Sequence, residues 1–313
     1  MAEQSERFFC SELSRRSAEK TFGTASIGAV WFLLEYPHGW GRHAFEDSAL
    51  SDAVKNHFRE TLASVRHSRL LFIKTDRGRR DARMNLFVVR CREREPFIVR
   101  LRVKDYEDLR ALDLASIARG QDLQGGELTG EPLHLVCTHG RRDKCCAKFG
   151  IPVYNSLRDC LVSSDCAGES VWQSSHVGGD RFAANVVCFP HGLFYAHATE
   201  ETALRIVSEY RAGRVVLDKF RGRACYLGFT QAAEFFARTE SGITRLDALR
   251  FRSAAPEGPS AWRVRFAEEG AGRAHELLVA SRPSEFQNFI TCHAEVERAV
   301  PQFVLEDYKF LPL

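Results

Sequence analysis

The stretch Cys137-Thr-His-Gly-Arg-Arg-Asp-Lys-Cys145-Cys146 follows a short apolar run at residues 133–136, which is typical of a buried strand. The thiols of Cys137 and Cys146 stand nine positions apart, and Cys146 falls at the predicted start of a helix. A helix N-terminus favours the thiolate, which is the form of cysteine that binds metal. The stretch therefore predicts an α/β unit in which the loop between a strand and a helix carries metal ligands.

A second loop, Ser174-Ser-His176-Val-Gly-Gly-Asp180, follows the next predicted strand. The glycine pair between His176 and Asp180 permits the positive φ values of a tight loop, so both side chains can turn toward one centre. Two thiolates, one imidazole and one carboxylate form a plausible four-ligand set for a metal. We predict that the metal ligands are Cys137, Cys146, His176 and Asp180.

The bulk properties of the chain exclude several classes of protein. A length of 313 residues favours two domains, or one domain with an extension. The net charge is only +3, with acidic residues interspersed among the arginines, which argues against nucleic-acid binding. Residues 1–9 lack the apolar run of a signal peptide, and no stretch approaches the roughly 18–20 apolar residues that span a bilayer. We expect a cytoplasmic protein that does not bind membranes.

Ten cysteines are present, and the reducing compartment expected for this protein argues against a disulfide scaffold. Cys145 has two interpretations: it packs beneath the helix, or it forms a redox pair or substitutes for a ligand. Other cysteines are scattered along the chain, and most of these are interpreted as buried small hydrophobic residues: Cys10, Cys91, Cys160, Cys166, Cys225 and Cys292.

Both halves of the chain follow the order strand, loop, helix, strand, hairpin, helix, which is typical of a thioredoxin-like domain. We predict an α/β (α+β) fold with one such unit at residues 1–120, a second at 121–221, and a C-terminal helix-and-hairpin extension at 222–313. Gly39-Trp40-Gly41 stands where the first unit would carry its active loop. That loop lacks cysteine, so we interpret the first unit as structural or as an interaction surface.

The two motifs, at residues 136–150 and 171–185, resemble the sucrase/ferredoxin-like family. The resemblance implies a thioredoxin-like [2Fe–2S] ferredoxin domain in which Cys137 and Cys146 hold one iron. His176 and the residue four positions later would hold the other iron. Shorter matches extend the resemblance to nearly the whole chain, at residues 23–25, 33–35, 39–41 and 291–292.

This sequence departs from the resemblance at Asp180, where the family usually has histidine. A carboxylate in place of an imidazole makes an oxidised cluster more negative and lowers its reduction potential, while the remaining histidine keeps the potential pH-dependent. The alternatives are a weakened or empty site, or a fourth ligand from elsewhere, namely Cys188, His191, His139 or Cys145.

The first functional hypothesis is a [2Fe–2S] electron carrier that receives electrons from an unidentified redox partner protein, since the chain lacks a Gly-x-Gly-x-x-Gly fingerprint for a nicotinamide or flavin. The alternative is a zinc-binding or metal-free interaction module. The least favoured hypothesis is an enzyme, either a reductase or a sucrose-cleaving hydrolase. A hydrolase of this kind needs a defined pair of carboxylates, and none can be singled out in this sequence. The basic residues near the loops form either a solvated rim or a docking face for an acidic partner: His139, Arg141, Arg142, Lys144 and Arg181.

Overall fold

The computed structural model describes residues 8–76, 83–163 and 170–312, and Cys166 lies outside them. No helix in this part of the chain combines the length and the apolar character needed to cross a bilayer. The helices are α1 (Cys10–Arg16), α2 (Asp52–Ser64), α3 (Leu114–Arg119), α4 (Lys144–Ser163), α5 (Glu200–Arg211) and α6 (Gly228–Ser241). The strands are β1 (Val30–Glu35), β2 (Ser68–Lys74), β3 (Met84–Arg90), β4 (Phe97–Val103), β5 (Glu127–Thr129), β6 (Leu133–Cys137), β7 (Ser170–Ser174), β8 (Val186–Phe189), β9 (Leu193–Tyr195), β10 (Phe220–Arg223), β11 (Leu249–Pro256), β12 (Ala261–Glu268), β13 (Arg273–Asn288) and β14 (Arg298–Pro312).

The two halves of the chain repeat one strand arrangement. The first half pairs as β2-β1-β3-β4 and the second as β7-β6-β8-β9. In each half the first two strands are parallel and a helix, α2 or α4, connects them, while the other pairs are antiparallel. A parallel pair requires such a crossover, whereas an antiparallel pair needs only a hairpin. The mixed α/β class and the predicted order of elements in both halves are therefore confirmed.

One antiparallel contact joins the two halves into a single ten-stranded sheet. It pairs the last two residues of β2 with Ser174 and Gln173 of β7. Directly beyond it, the Ser175 N–H donates to the Phe72 carbonyl at 2.8 Å, and the Ser175 hydroxyl accepts from the Phe72 N–H at 3.0 Å. The loop that follows β7 is thereby fixed to the first half. The domain boundaries at 120/121 and 221/222 stay predictions.

The C-terminal extension forms a second sheet, in the antiparallel order β11-β12-β13-β14, with α6 packed on it. The sequence predicts α6 and the β12–β13 hairpin but not β11 or β14. Most side chains of β14 are partly or fully exposed, so this strand lacks the buried alternation by which a strand is recognised. The turn between β13 and β14 returns the chain to α1, where the Cys10 N–H lies 3.5 Å from Cys292 Sγ.

The helix α4 is continuous from Lys144 to Ser163 and contains Pro152. Gly150 on this helix lies against the end of β6. A Cβ at Gly150 would lie only 2.1 Å from the carbonyl oxygen of Cys137. The absence of a side chain at Gly150 therefore allows α4 to approach β6 closely.

We expect Gly150→Ala to lower the free energy of unfolding by about 1–3 kcal/mol, the usual cost of forcing an extra carbon into a packed interior. The added methyl group would push α4 away from Cys137. Equilibrium urea denaturation measures the change. Gly130→Ala is the matched control, because a Cβ at Gly130 meets no atom within 4 Å. Equal unfolding free energies for the two variants would contradict the packing argument.

Candidate metal centre

Two cysteines enter one buried space from a strand end and a helix start. Cys137 is the last residue of β6, and Cys146 lies in the first turn of α4. Asp143 fixes the start of α4, since its carboxylate accepts from the Cys145 N–H at 2.8 Å and its carbonyl from the Cys146 N–H at 3.1 Å. Cys137 and Cys146 are 1% and 0% exposed and pack in the same apolar cluster.

The loop after β7 supplies the other two predicted ligands. It turns through the glycine pair at 178–179, whose φ angles are +92° and +82°. This turn places Asp180 Oδ1 3.0 Å from His176 Nδ1. Cys146 Sγ lies 3.9 Å from each of these two atoms. The ligand atoms of Cys137, Cys146 and His176 all lie within 4.8 Å of one another. The structure thus brings three of the predicted ligands into one group and places Asp180 beside His176 and Cys146.

His139 lies between the two halves of the protein and holds the loop in place. Its Nε2 is 2.6 Å from the carbonyl oxygen of Gly41, and its Nδ1 accepts from the His176 N–H at 3.2 Å. One neutral tautomer, with the proton on Nε2, satisfies both contacts. Burial lowers the pKa of His139, which favours that neutral form. Both ring nitrogens are occupied, so His139 positions His176. The cysteine-free loop of the first half takes part in this contact, and Trp40 packs edge-on against His139.

Arg221, on β10, holds the glycine pair from the other side. Its side chain is almost fully buried and donates to the Gly178 carbonyl at 3.0 Å and to Asn185 Oδ1 at 2.7 Å. It also donates to the hydroxyl and the carbonyl of Thr24. Within the described parts of the chain Arg221 forms no direct ion pair. Burial lowers the pKa of Arg221 to about 9, although the negative charges of Cys137 and Asp180 act in the opposite direction.

Contacts within the ligand group distribute its protons unevenly. The hydrogen bond from Cys146, together with His176, lowers the pKa of Cys137 well below its usual value, and the same contact raises the pKa of Cys146. Burial opposes charge on His176, but Cys137 and Asp180 outweigh it and raise the pKa of the imidazole. Burial raises the pKa of Asp180. The group therefore favours a thiolate beside an imidazolium, and thiolate is the form that binds metal.

The distances from Cys146 to its two neighbours are close to those expected around a single metal ion. A tetrahedral ion with ligand distances of roughly 2.0–2.3 Å holds its donor atoms about 3.3–3.8 Å apart. Cys146 Sγ lies 3.9 Å from both His176 Nδ1 and Asp180 Oδ1. A two-iron cluster carries one ligand pair on each iron, so His176 and Asp180 would have to lie further from the cysteines than they do here. The donor types suit both centres, since thiolate and imidazole ligate zinc as well as iron–sulfur clusters.

Two of the alternative fourth ligands lie elsewhere. Cys188 Sγ is 3.3 Å from His134 Nδ1 and belongs to a different apolar cluster from the two ligand cysteines. His191 Nδ1 is 2.6 Å from the Tyr210 hydroxyl. Neither residue belongs to the group of ligand atoms formed by Cys137, Cys146 and His176 in the described structure.

Cys145 also faces away from the ligand group. Its Sγ lies 3.6 Å from that of Cys10 and 3.3 Å from that of Cys292. Cys10 is buried in an apolar cluster and Cys292 is partly buried against it, as expected for small hydrophobic residues, but the structure also brings both next to Cys145, which their scattered positions do not predict. They are 282 positions apart, and no local pattern links them.

Arg221 contacts the candidate site but does not stand out in the sequence. It stands in the four-residue strand β10 (Phe220–Arg223), whose side chains are all buried, including those of both arginines. An arginine in such a short buried strand requires acceptors from other segments. The sequence therefore indicates that Arg221 needs hydrogen-bond acceptors, but it does not identify them.

The fold and the site define a mixed α/β protein with a buried cysteine, histidine and aspartate group that has the composition of a metal site. A family model described as sucrase/ferredoxin-like matches residues 21–222, and the chain belongs to this family. The family resemblance expected from the motifs is thus confirmed.

Individual relatives match shorter parts of the chain. Altered inheritance of mitochondria protein 32 from Meyerozyma guilliermondii is 32% identical over 101 residues, which cover 31% of this chain and 36% of that relative. The chain therefore spans little more than a third of that relative's length. A thioredoxin-like [2Fe–2S] ferredoxin from Aquifex aeolicus matches with 15% identity and a TM-score of 0.28, over 31% of this chain and 96% of the ferredoxin. A cysteine-to-serine variant of that ferredoxin gives a TM-score of 0.26 at 15% identity, over 28% of this chain and 96% of the variant. The cytoplasmic location stays a prediction.

We expect Gly179→Ala to destabilise the protein more than Gly213→Ala does. Both glycines have positive φ, so both variants share a backbone cost of roughly 1–2 kcal/mol. Only at Gly179 would the new methyl group meet Arg221, with Nη2 2.6 Å away, whereas a Cβ at Gly213 meets nothing within 4 Å. Urea denaturation of both variants, with metal analysis of the purified proteins, measures the difference. If both variants lose the same amount of stability, close packing of Arg221 against Gly179 is contradicted.

Proposed function

We propose that this protein binds a [2Fe–2S] cluster between the Cys137–Cys146 pair and the His176–Asp180 pair, and that it transfers electrons. The observation that carries the proposal is the arrangement of the ligands as two pairs on separate loops, facing one buried space. Membership of the sucrase/ferredoxin-like family supports it. In this assignment Cys137 and Cys146 hold one iron, and His176 and Asp180 hold the other.

The buried arginine beside the site supports a centre with net negative charge. An oxidised two-iron core carries two positive charges, and two thiolates with one carboxylate leave the complex with one net negative charge. The charges of Cys137 and Asp180 favour the charged form of Arg221. Arg221 in turn offsets the negative charge of the cluster, and a nearby positive charge makes reduction easier.

The route for electrons runs through His176. Its side chain is 22% exposed, whereas that of Asp180 is 7% exposed. A cleft of about 220 Å³ opens beside His176, and Arg42 and Arg142 line it. We propose that an acidic redox partner docks over this cleft, because complementary charge speeds the encounter and fixes its orientation.

Only part of the predicted basic rim is free to serve such a partner. Arg181 forms an ion pair with Glu19 at 2.7 Å, and Lys144 Nζ lies 4.7 Å from the centre of the Phe9 ring. His139 is buried between Gly41 and His176. The docking face that we propose therefore consists of Arg42, Arg141 and Arg142.

A zinc site is the second candidate, and the spacing of the ligand atoms favours it. The ligand atoms of Cys137, Cys146 and His176 lie within 4.8 Å of one another, and Asp180 Oδ1 lies 3.0 Å from His176 Nδ1, so small side-chain movements would bring them onto one ion. A zinc ion there would cross-link β6, α4 and the loop after β7, and the protein would then act as an interaction module. The metal content of the protein decides between the two candidates.

We expect the purified protein to be red-brown and to contain two irons and two acid-labile sulfides per chain. Reduction should give an EPR signal. Cys137→Ser and Cys146→Ser should each lose the colour and most of the iron. Cys91→Ser is the matched control, because Cys91 is fully buried in the same apolar cluster and should keep both. A colourless protein with one zinc ion in this site would establish the second candidate instead.

We expect Asp180→His to raise the midpoint reduction potential, because a neutral imidazole replaces a carboxylate and makes the cluster less negative. A redox titration followed in the visible spectrum measures the shift. Glu46→Gln is the control, since it removes one exposed carboxylate from the wall of the same cleft. An unchanged potential in Asp180→His with full iron content would show that Asp180 is not a ligand.

A further inference from the structure

A second group of metal-ligating side chains lies next to the first and shares no residue with it. It contains Cys10 from α1, Cys145 from the start of α4, and Cys292 from the turn between β13 and β14. The sulfur atoms of Cys10, Cys145 and Cys292 are 3.6, 3.3 and 3.5 Å apart, taken pairwise. The carboxylate of Asp143 completes the group, with Oδ2 4.0 Å from Cys10 Sγ.

This cysteine–aspartate group is buried in apolar surroundings. Cys10, Asp143 and Cys145 are fully buried, and Cys292 is partly buried. The residues packed around the thiols are mainly aromatic: Phe8, Phe9 and Phe149, together with Ala183. Three thiols and a carboxylate are a costly set of groups to bury together unless something compensates their polarity.

Asp143 has no direct cationic partner among the described residues. Its side-chain oxygens accept from the N–H groups of Cys145 at 2.8 Å and Cys292 at 2.7 Å, and no described Lys, Arg or His forms an ion pair with it. The lysines of α4 are engaged elsewhere, since Lys148 pairs with Glu12 at 3.1 Å and Lys144 lies over Phe9. A buried carboxylate without a cationic partner is the arrangement that a bound metal ion would stabilise.

Backbone N–H groups also lie close to two of the sulfur atoms. The N–H of Cys10 lies 3.5 Å from Cys292 Sγ, and the N–H of Ser11 lies 3.5 Å from Cys145 Sγ. Hydrogen bonds of this kind favour the thiolate over the thiol. Two of the three sulfur atoms therefore have a backbone donor in addition to their contacts with one another.

We propose that Cys10, Asp143, Cys145 and Cys292 bind one zinc ion, at a structural site separate from the proposed cluster. Sulfur atoms on a tetrahedral zinc ion with Zn–S distances of about 2.3 Å lie about 3.8 Å apart, slightly more than the separations found here. Three thiolates and one carboxylate fill the four positions of zinc and leave none open, which is typical of a structural site. Zinc displaces the thiol protons as it binds.

A disulfide does not account for the group. Bonded sulfur atoms lie about 2.03–2.05 Å apart, far closer than any pair here. One disulfide would also leave the third thiol and the carboxylate unexplained. Zinc uses all four side chains, and it would tie both ends of the chain to the helix start that bears Cys146.

The test uses the 313-residue protein purified without chelators, with zinc and iron measured by mass spectrometry. We expect one zinc per chain in the wild type. Cys292→Ser should lose most of this zinc and keep the iron, whereas Cys146→Ser should lose the iron and keep the zinc. Cys225→Ser, which alters a partly buried cysteine outside both groups, should keep both metals. Zinc retained by Cys292→Ser, or a zinc-free wild type, would overturn the proposal.

X-ray absorption at the zinc edge of the wild type provides a measurement that does not depend on the folding of a variant. We expect three sulfur ligands and one oxygen ligand. Two sulfur ligands with a nitrogen ligand would place zinc at Cys137, Cys146 and His176, which would refute both this proposal and the cluster. Iron absent with a three-sulfur zinc site present would refute the cluster alone.

Discussion

The proposed ligand group depends on the hydrogen bond that the buried guanidinium of Arg221 donates to the turn after His176. A charge in the interior is tolerated only when its donors are satisfied, and Arg221 finds its acceptors in Thr24, Gly178 and Asn185. Thr24 is far in sequence from the segment that contains Gly178 and Asn185, and Arg221 belongs to a third segment. Movement of the 178–179 turn would leave donors of Arg221 unpaired in the interior, at a cost of about 1–3 kcal/mol or more for a charged group. The backbone around His176 is therefore fixed by the protein itself, whether or not a metal is bound.

A fixed backbone limits how the site can accept a centre larger than one ion. His139 holds the N–H of His176, and Arg221 holds the turn that follows, so the whole loop cannot retreat from the cysteines. Space for a two-iron cluster has to come from side-chain rotation. The His176 side chain is partly exposed and can turn toward the cleft, whereas Asp180 is nearly enclosed. The histidine side of the site is therefore the side that opens, and it is also the side that a redox partner would reach.

The sequence predicts what is local and fails where distant segments meet. The spacing from Cys137 to Cys146 and the glycine pair before Asp180 are short-range features, and they identify the residues that the structure brings together. The repeated strand order is likewise readable, because each β–α–β–β–β segment is continuous in the chain. Arg221 has no such pattern, because its partners are up to 197 positions away. The joining of the two halves through β2 and β7 depends on a contact of only two residue pairs, which leaves no periodic signal.

The two cysteine groups differ in how the protein balances their charge. Each contains a carboxylate, but Asp180 lies near Arg221, whereas Asp143 forms no ion pair with the residues that the structure describes. Burial, with a smaller contribution from Asp180, raises the pKa of Asp143 to about 6. A cation bound in either group would reduce this repulsion and so favour the anionic form of the other carboxylate. The charge of Asp180 favours the charged form of Arg221, and this attraction helps to accommodate a carboxylate at position 180. Among the described residues Arg15 interacts with the charge of Cys145, but no cation pairs directly with Asp143, so a metal ion bound there would supply the positive charge that this carboxylate lacks.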